Sequence, residues 1–201
     1  MNDSGDIDGG NVGAGENGRP GVVSAGVESS GIASDDEMVD IVDENDLVIE
    51  VVPRRVMRRD RLRHRAVFVA VVDSRARLLV HRRSESKDLW PGWFDLAVGG
   101  VVVHGEDWSM AARRELREEM GIEADEFVPL DEGRPRSYDD HEVSLIGRCW
   151  LVRHDGPVTF VDAEVAEAWW LARHEVETLI ANERVLPDSL ALVWPSLSGI
   201  L

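Results

Sequence analysis

The sequence predicts a mixed α/β or α+β core, and three observations support this. Residues 66–72 (AVFVAVV) form a continuous apolar run of strand length, rich in β-branched residues. Residues 107–120 place Trp108, Ala112, Leu116 and Met120 at four-residue spacing, which is the apolar stripe of an amphipathic helix. Strand-like and helix-like stretches then intermix without regular βαβ alternation, so periodicity supports nothing narrower than an α/β or α+β core.

Length and composition set the frame. The 201 residues suit one domain of ordinary size with an extension. The net charge of −17 is unevenly spread. Residues 1–50 hold 13 acidic residues and one basic, whereas 51–201 hold 26 and 21, leaving that part at −5. Its mild acidity singles out no partner, and no nucleic-acid polymer is expected. Cys149 is the sole cysteine, which rules out an internal disulfide and suits a reducing compartment. Lying in the apolar run 145–152, it reads as a buried thiol rather than a nucleophile. The first thirty residues lack a basic start and apolar core, and no apolar run approaches the roughly 20 residues of a membrane span. A soluble cytoplasmic protein without a membrane partner is expected.

In chain order, residues 1–37 carry nine of the 18 glycines and no aromatic residue. Such a segment buries too little apolar surface to offset its ordering entropy, and disorder is expected there, with the domain spanning 38–201. Residues 38–52 read as a hairpin turning through Asp43-Glu44-Asn45-Asp46, closed by Pro53. Residues 54–65 contain seven arginines and His64; they fit balance of the acidic amino-terminal segment or proximity to an anionic diphosphate as well as they fit nucleic acid. Strands follow at 66–72 and 78–80, then a Pro91-Gly92 turn between aromatic-rich pieces. Residues 95–103 form a strand interrupted by Gly99-Gly100, where the backbone can approach a ligand closely. The helix at 107–120 ends at Gly121. A polar loop is expected over 123–143, strands over 144–152 and up to 170, a helix over 174–182 and a last helix opened by Pro187.

The chemistry concentrates on the 107–120 helix. Glu115, Glu118 and Glu119 stand at i, i+3 and i+4, so their carboxylates crowd one face and repel. A divalent cation relieves that repulsion, and Mg²⁺, which prefers carboxylate oxygens and retains water for phosphate to displace, suits it best. Seven fixed letters set the wider frame, in the pattern Gly100-x5-Glu106-x7-Arg114-Glu115-Leu116-x-Glu118-Glu119-x-Gly121-Ile122. At residue frequencies of roughly 7%, such a match arises by chance on the order of once in 10⁸ windows.

This pattern resembles the box of the Nudix hydrolases, with every position filled. The resemblance implies an α/β/α sandwich around a mixed β-sheet and hydrolysis of a diphosphate with Mg²⁺, or Mn²⁺ in its place. It gives the metal-ligand role to Glu115, Glu118, Glu119 and the Gly100 carbonyl, and makes Glu106 and Arg114 the groups that orient these carboxylates. The general base in the family is either the glutamate here numbered Glu115 or an acid outside the box. For the latter Asp140, Glu142, Glu164 and Glu167 are candidates, with Glu142 the best placed by sequence.

From about residue 44 to the end, the chain further resembles the isopentenyl-diphosphate isomerase-like branch of this superfamily. The matching pieces are NDLVIEVVPRRVMRR, LRHRA, LLVHRRSESKDLWPG and PDSLALVW. That likeness implies a diphosphate clamp at Arg83 and Lys87, and acidic metal ligands at Asp140 and Glu142. Of the isomerase metal histidines only His64 remains, Met57 standing at another. Gly99 stands where an isomerase carries its catalytic cysteine, which argues for hydrolysis over isomerisation. A non-catalytic binding module is the other alternative, and the intact glutamates oppose it. Trp93, with Trp90 and Tyr138, is a candidate to stack on the substrate. A small-molecule diphosphate is the expected partner, and a homodimer is compatible with the sequence.

Overall fold

The computed structural model describes residues 35–160 and 163–201, so the expectation of disorder over 1–37 lies outside the described residues up to position 34. Strand β1 (Met38–Val42) pairs antiparallel with β2 (Val48–Pro53). The turn between them forms because the Asp43 carboxylate accepts from the amides of Asn45 and Leu47, both at 2.9 Å. Helix α1 (Arg54–Arg59) follows directly, which the sequence reading did not foresee. Its only buried residue is Met57, so no apolar stripe announces it. The backbone amides of Arg54 and Arg55 bond to the carbonyls of Glu37 and Asp35, tying the helix to the entering chain.

The centre of the sheet is β3 (His64–Val72). It runs parallel to β9 (Ser144–Arg153) along its whole length and antiparallel to β6 (Val98–Val101). β4 (Leu78–Arg83) carries the sheet on to β10 (Val165–Leu171), and β5 (Phe94–Asp95) adds to β4. One parallel pairing among antiparallel ones makes the sheet mixed, as expected. The interval 123–143 differs from the expected loop. It holds β7 (Val128–Pro129) and β8 (Arg136–Asp139), both paired with β9, and a short 3-10 turn. These strands have two and four residues and largely exposed side chains, so they carry no readable alternation.

Both faces of β3 are covered, which explains its unbroken apolar sequence. Val67, Val69 and Val71 point toward α2 (Trp108–Met120), meeting Ala111, Ala112, Leu116 and Met120. Ala66, Phe68, Ala70 and Val72 point to the other side. There they join Val176 of α3 (Arg173–Asn182), Leu192 of α4 (Pro187–Leu192) and Leu197 of α5 (Trp194–Leu197). The result is an α/β/α sandwich. Leu116 and Met120 are fully buried, each contributing roughly 1.5–3 kcal/mol relative to exposure. Among the described residues, no helix is long and apolar enough to cross a membrane.

Candidate active site

Helix α2 is fixed at both ends. The Asp107 side chain caps its start, accepting from the amides of Ser109 at 2.8 Å and Met110 at 2.9 Å. These bonds hold the Asp107 carboxyl below its usual pKa, Met110's being the largest cause. Gly121 closes the helix in the left-handed region at φ 62°, a conformation glycine adopts without strain. With the apolar stripe seated on β3 and β6, the Glu115 carboxylate comes to lie against Gly100 of β6. Glu115 and Glu119 are 8% and 2% exposed, unusual burial for carboxylates, while Glu118 lies nearer solvent.

The two glycines of β6 are dictated by this packing. A Cβ on Gly100 would stand 2.0 Å from Glu115 Oε1, so the carboxylate occupies the space a side chain would take. A Cβ on Gly99 would stand 2.5 Å from the Val67 carbonyl of the neighbouring strand, a backbone atom that cannot swing aside.

Arg114 binds the acidic groups together. Its Nε and Nη2 donate to both oxygens of Glu106 at 2.9 Å, a bidentate pair. Its Nη1 donates to Glu115 at 2.7 Å and Glu118 at 3.2 Å, and Nη2 also reaches the Val101 carbonyl at 3.2 Å. Burial opposes the Arg114 charge, but Glu106 and Glu115 more than offset it and raise its pKa. Burial likewise pushes the Glu115 carboxyl up to about 7, against the lowering effect of Arg114. One guanidinium does not satisfy three carboxylates.

Beside Gly99 and Gly100 opens a cavity of about 150 Å³, walled by Arg54, Arg58, Arg83, Lys87 and Glu164 among others. Four cationic side chains around one cavity make it a receptacle for a polyanion. The Lys87 ammonium pairs with Glu164 and lies 4.0 Å from Glu119, linking the cavity to the helix. His81 Nε2 stands 4.0 Å from the other Glu119 oxygen. Burial first, then Arg83 and Lys87, lower the His81 pKa to about 3, so the ring is neutral. Its Nδ1 has no hydrogen-bond partner among the described residues.

The structure therefore gathers Glu106, Arg114, Glu115, Glu118, Glu119 and Gly100 around one helix face, and sets Arg83 and Lys87 in the adjoining cavity. It does not bring in two predicted residues. Trp93 is absent from the cavity walls; its ring lies 6.5 Å from Trp90 and beneath the Arg184 guanidinium. Glu142 sits half-exposed in the turn before β9, 3.5 Å from His141, and its amide donates to Asp140. Asp140 is engaged in that turn and with the Tyr138 hydroxyl, and Glu167 pairs with Arg82. Of the four outside acids named from sequence, only Glu164 lines the cavity, where Asp88 also stands. Arg54, Arg58 and His81 were not singled out in sequence. The clustering of arginines over 54–65 was the signal for the first two, but only the turn of α1 chooses which of them face inward.

The fit of a metal follows from the donor set. Among the described residues, no three acidic, histidine or cysteine side chains already converge as a cage. Glu118 is drawn to Arg114 instead. Yet two buried carboxylates, a third at the rim and a backbone glycine are hard oxygen donors with excess negative charge, which suits a hard divalent ion.

Comparison with known proteins agrees with this geometry. A model of the NUDIX domain matches residues 62–190. An uncharacterized Nudix hydrolase of Yersinia pestis is 38% identical over 154 residues, covering 77% of this chain and 82% of its own. The uncharacterized Nudix hydrolase YfcD of Escherichia coli K12 is 38% identical over 154 residues, covering 77% and 83%. Among solved structures, DR0079 of Deinococcus radiodurans superposes with a TM-score of 0.65 at 30% identity, covering 80% of this chain and 99% of that one. Domain match and relatives together place the chain in the Nudix family, as a hydrolase.

Proposed function

We propose that this hydrolase cleaves the diphosphate linkage of a nucleoside diphosphate joined to another moiety, or of a related organic diphosphate. Mg²⁺ is the proposed metal, with Mn²⁺ able to replace it. The observation that carries this reading is the juxtaposition of buried Glu115 and Glu119 with a cavity lined by Arg54, Arg58, Arg83 and Lys87. Excess acid and excess base side by side suit a cation and a polyanion bound together.

Glu115, Glu118, Glu119 and the Gly100 carbonyl would hold the metal, which supplies charge neutralisation at phosphorus and acidification of water. The chain's own residues do the rest. Arg54, Arg58, Arg83 and Lys87 bind and orient the anionic oxygens, where positioning and charge stabilisation supply most of the rate. Arg114 keeps Glu115 and Glu118 in place through its bonds to both and to Glu106. We assign proton acceptance from the attacking water to Glu164, because it lines the cavity and shares Lys87 with the helix carboxylate Glu119, whereas Asp88 on the same wall does not. Its partner Lys87 is also a phosphate ligand, so an arriving substrate competes with Glu164 for the ammonium.

Isomerisation is disfavoured by Gly99. Its site leaves no room for a side chain beside Val67, and no thiol stands there. Descent from the isomerase-like branch is kept as part of the proposal on the strength of the shared segments. A cytoplasmic setting suits the buried, reduced thiol of Cys149. The homodimer reading draws on the exposed Leu47, Val48 and Ile49 near and on the sheet's edge strand β2.

The test is a panel of dinucleotide polyphosphates, nucleotide sugars, ADP-ribose, oxidised nucleotides and isoprenoid diphosphates, incubated with and without Mg²⁺. Metal-dependent release of phosphorylated products from at least one of the first four classes is expected. No turnover anywhere, or isomerisation of isopentenyl diphosphate at enzymic rates, overturns the reading. On the best substrate, Glu164→Gln is expected to lower kcat by roughly 10²–10⁴-fold with KM little changed. An equal rise in KM with kcat intact would make Glu164 a positioning partner of Lys87 instead.

A further inference from the structure

A second, smaller cavity of about 70 Å³ adjoins the first and shares Arg58, Arg83, Leu89, Gly99 and Gly100 with it. A ligand whose phosphates fill the outer cavity reaches the inner one with its remaining half. We propose that this inner cavity, walled by His64, Trp90, Asp95 and Asp188, binds the non-phosphate half of the substrate, and that it selects a group bearing neighbouring N–H or O–H donors. The proposal rests on reading the outer cavity as the diphosphate site.

The polar wall sets acceptors on Asp95, Asp188 and His64 beside the donors Arg58 and Arg83. Asp95 and Asp188 are 5% and 7% exposed. Asp95 accepts from the Ala97 amide at 3.2 Å, and Asp188 accepts from the Ser189 amide at 2.8 Å. A carboxylate has about four lone-pair positions, so both retain capacity. Among the described residues, neither forms an ion pair with a cation; Arg83 acts on both from farther off while its guanidinium donates to the Leu89 carbonyl at 3.0 and 3.3 Å. Burial and the nearness of Asp95 push the Asp188 carboxyl up to about 7. His64 Nδ1 lies 2.9 Å from the Leu62 carbonyl and must donate to it. Burial, then Arg58, lower this ring's pKa to about 3, so it is neutral and its Nε2 is a further acceptor.

Such a wall discriminates. An alkyl or isoprenoid tail would strip water from two buried carboxyl groups and return no hydrogen bond. An ammonium group would meet Arg58 on the same wall. Vicinal hydroxyls of a sugar ring, or the N–H edge of a nucleobase, match the acceptors, while Trp90 and Phe68 offer flat apolar surface to the ring.

Titration calorimetry in EDTA, where no turnover occurs, tests this with the full chain. The probes are inorganic pyrophosphate, isopentenyl diphosphate, UDP and GDP (one sugar, two bases), and UDP-glucose with UDP-galactose (one base, two sugars). Pyrophosphate and isopentenyl diphosphate are expected to bind within about threefold of each other, and at least one donor-bearing ligand about tenfold tighter. A difference between the bases marks the nucleobase as occupant, and a gain confined to the nucleotide sugars marks the sugar. Asp188→Asn is expected to abolish the tenfold gain without changing pyrophosphate affinity, and Asp95→Asn serves as a second variant should the first misfold. Tighter binding of isopentenyl diphosphate, no gain for any donor ligand, or equal losses for pyrophosphate and the donor ligand would overturn the proposal. Failure of the hydrolysis panel leaves these affinities measurable and bears on the proposed reaction alone.

Discussion

Glu119→Gln is expected to lower turnover by roughly 10²–10³-fold while substrate affinity stays close to that of the parent. Glu119 is the most buried of the three helix carboxylates at 2% exposed, and it lies 4.0 Å from Lys87 on the cavity side. The amide keeps its shape and removes only the charge, so packing is preserved. Because a buried charge is removed, the variant should melt no earlier than the parent. Reduced kcat together with unchanged melting is the informative combination. Undiminished kcat in a folded variant would remove Glu119 from the chemistry.

Arg114→Leu is expected to damage the fold as well as the reaction. Arg114 is the common partner of Glu106, Glu115 and Glu118, and the side chains of Glu106 and Glu115 are each only 10% exposed. Leucine fills part of the volume but leaves two buried carboxylates uncompensated, at a cost of about 3–5 kcal/mol. For a domain of this size that lowers Tm by on the order of 10 °C. Adding Glu106→Gln should recover part of the loss, since a neutral amide no longer needs the guanidinium. A single variant that melts with the parent would show that the network contributes little to stability.

The contrast between these residues shows what sequence can reveal. Spacing alone placed Glu115, Glu118 and Glu119 on one face, because the helical period is a property of the backbone. The same period could not say that Glu118 leans to Arg114 while Glu119 faces Lys87; β6 and the loop before Trp90 decide that. The mixed α/β core was legible because β3 is apolar on both faces and α2 carries a clear stripe, whereas the sandwich followed only from the resemblance of the box. Helix α1 and strands β7 and β8 were not, being short elements whose hydrogen bonds rather than burial define them. Glu142 looked well placed just before a strand, but the turn it occupies is stabilised by Asp140 and turns it to solvent. Asp95 and Asp188 are 93 positions apart in sequence and meet only once α4 packs beside β5. No local pattern marks such a pair.

The most direct test of the site is Mn²⁺ binding, followed by electron paramagnetic resonance on the full chain without substrate. Saturable binding is expected in the parent protein, weakened at least tenfold in Glu119→Gln and in Glu115→Gln, and unchanged in Glu142→Gln. Equal binding by all four proteins, or a loss confined to Glu142→Gln, would contradict a metal held on the α2 glutamates.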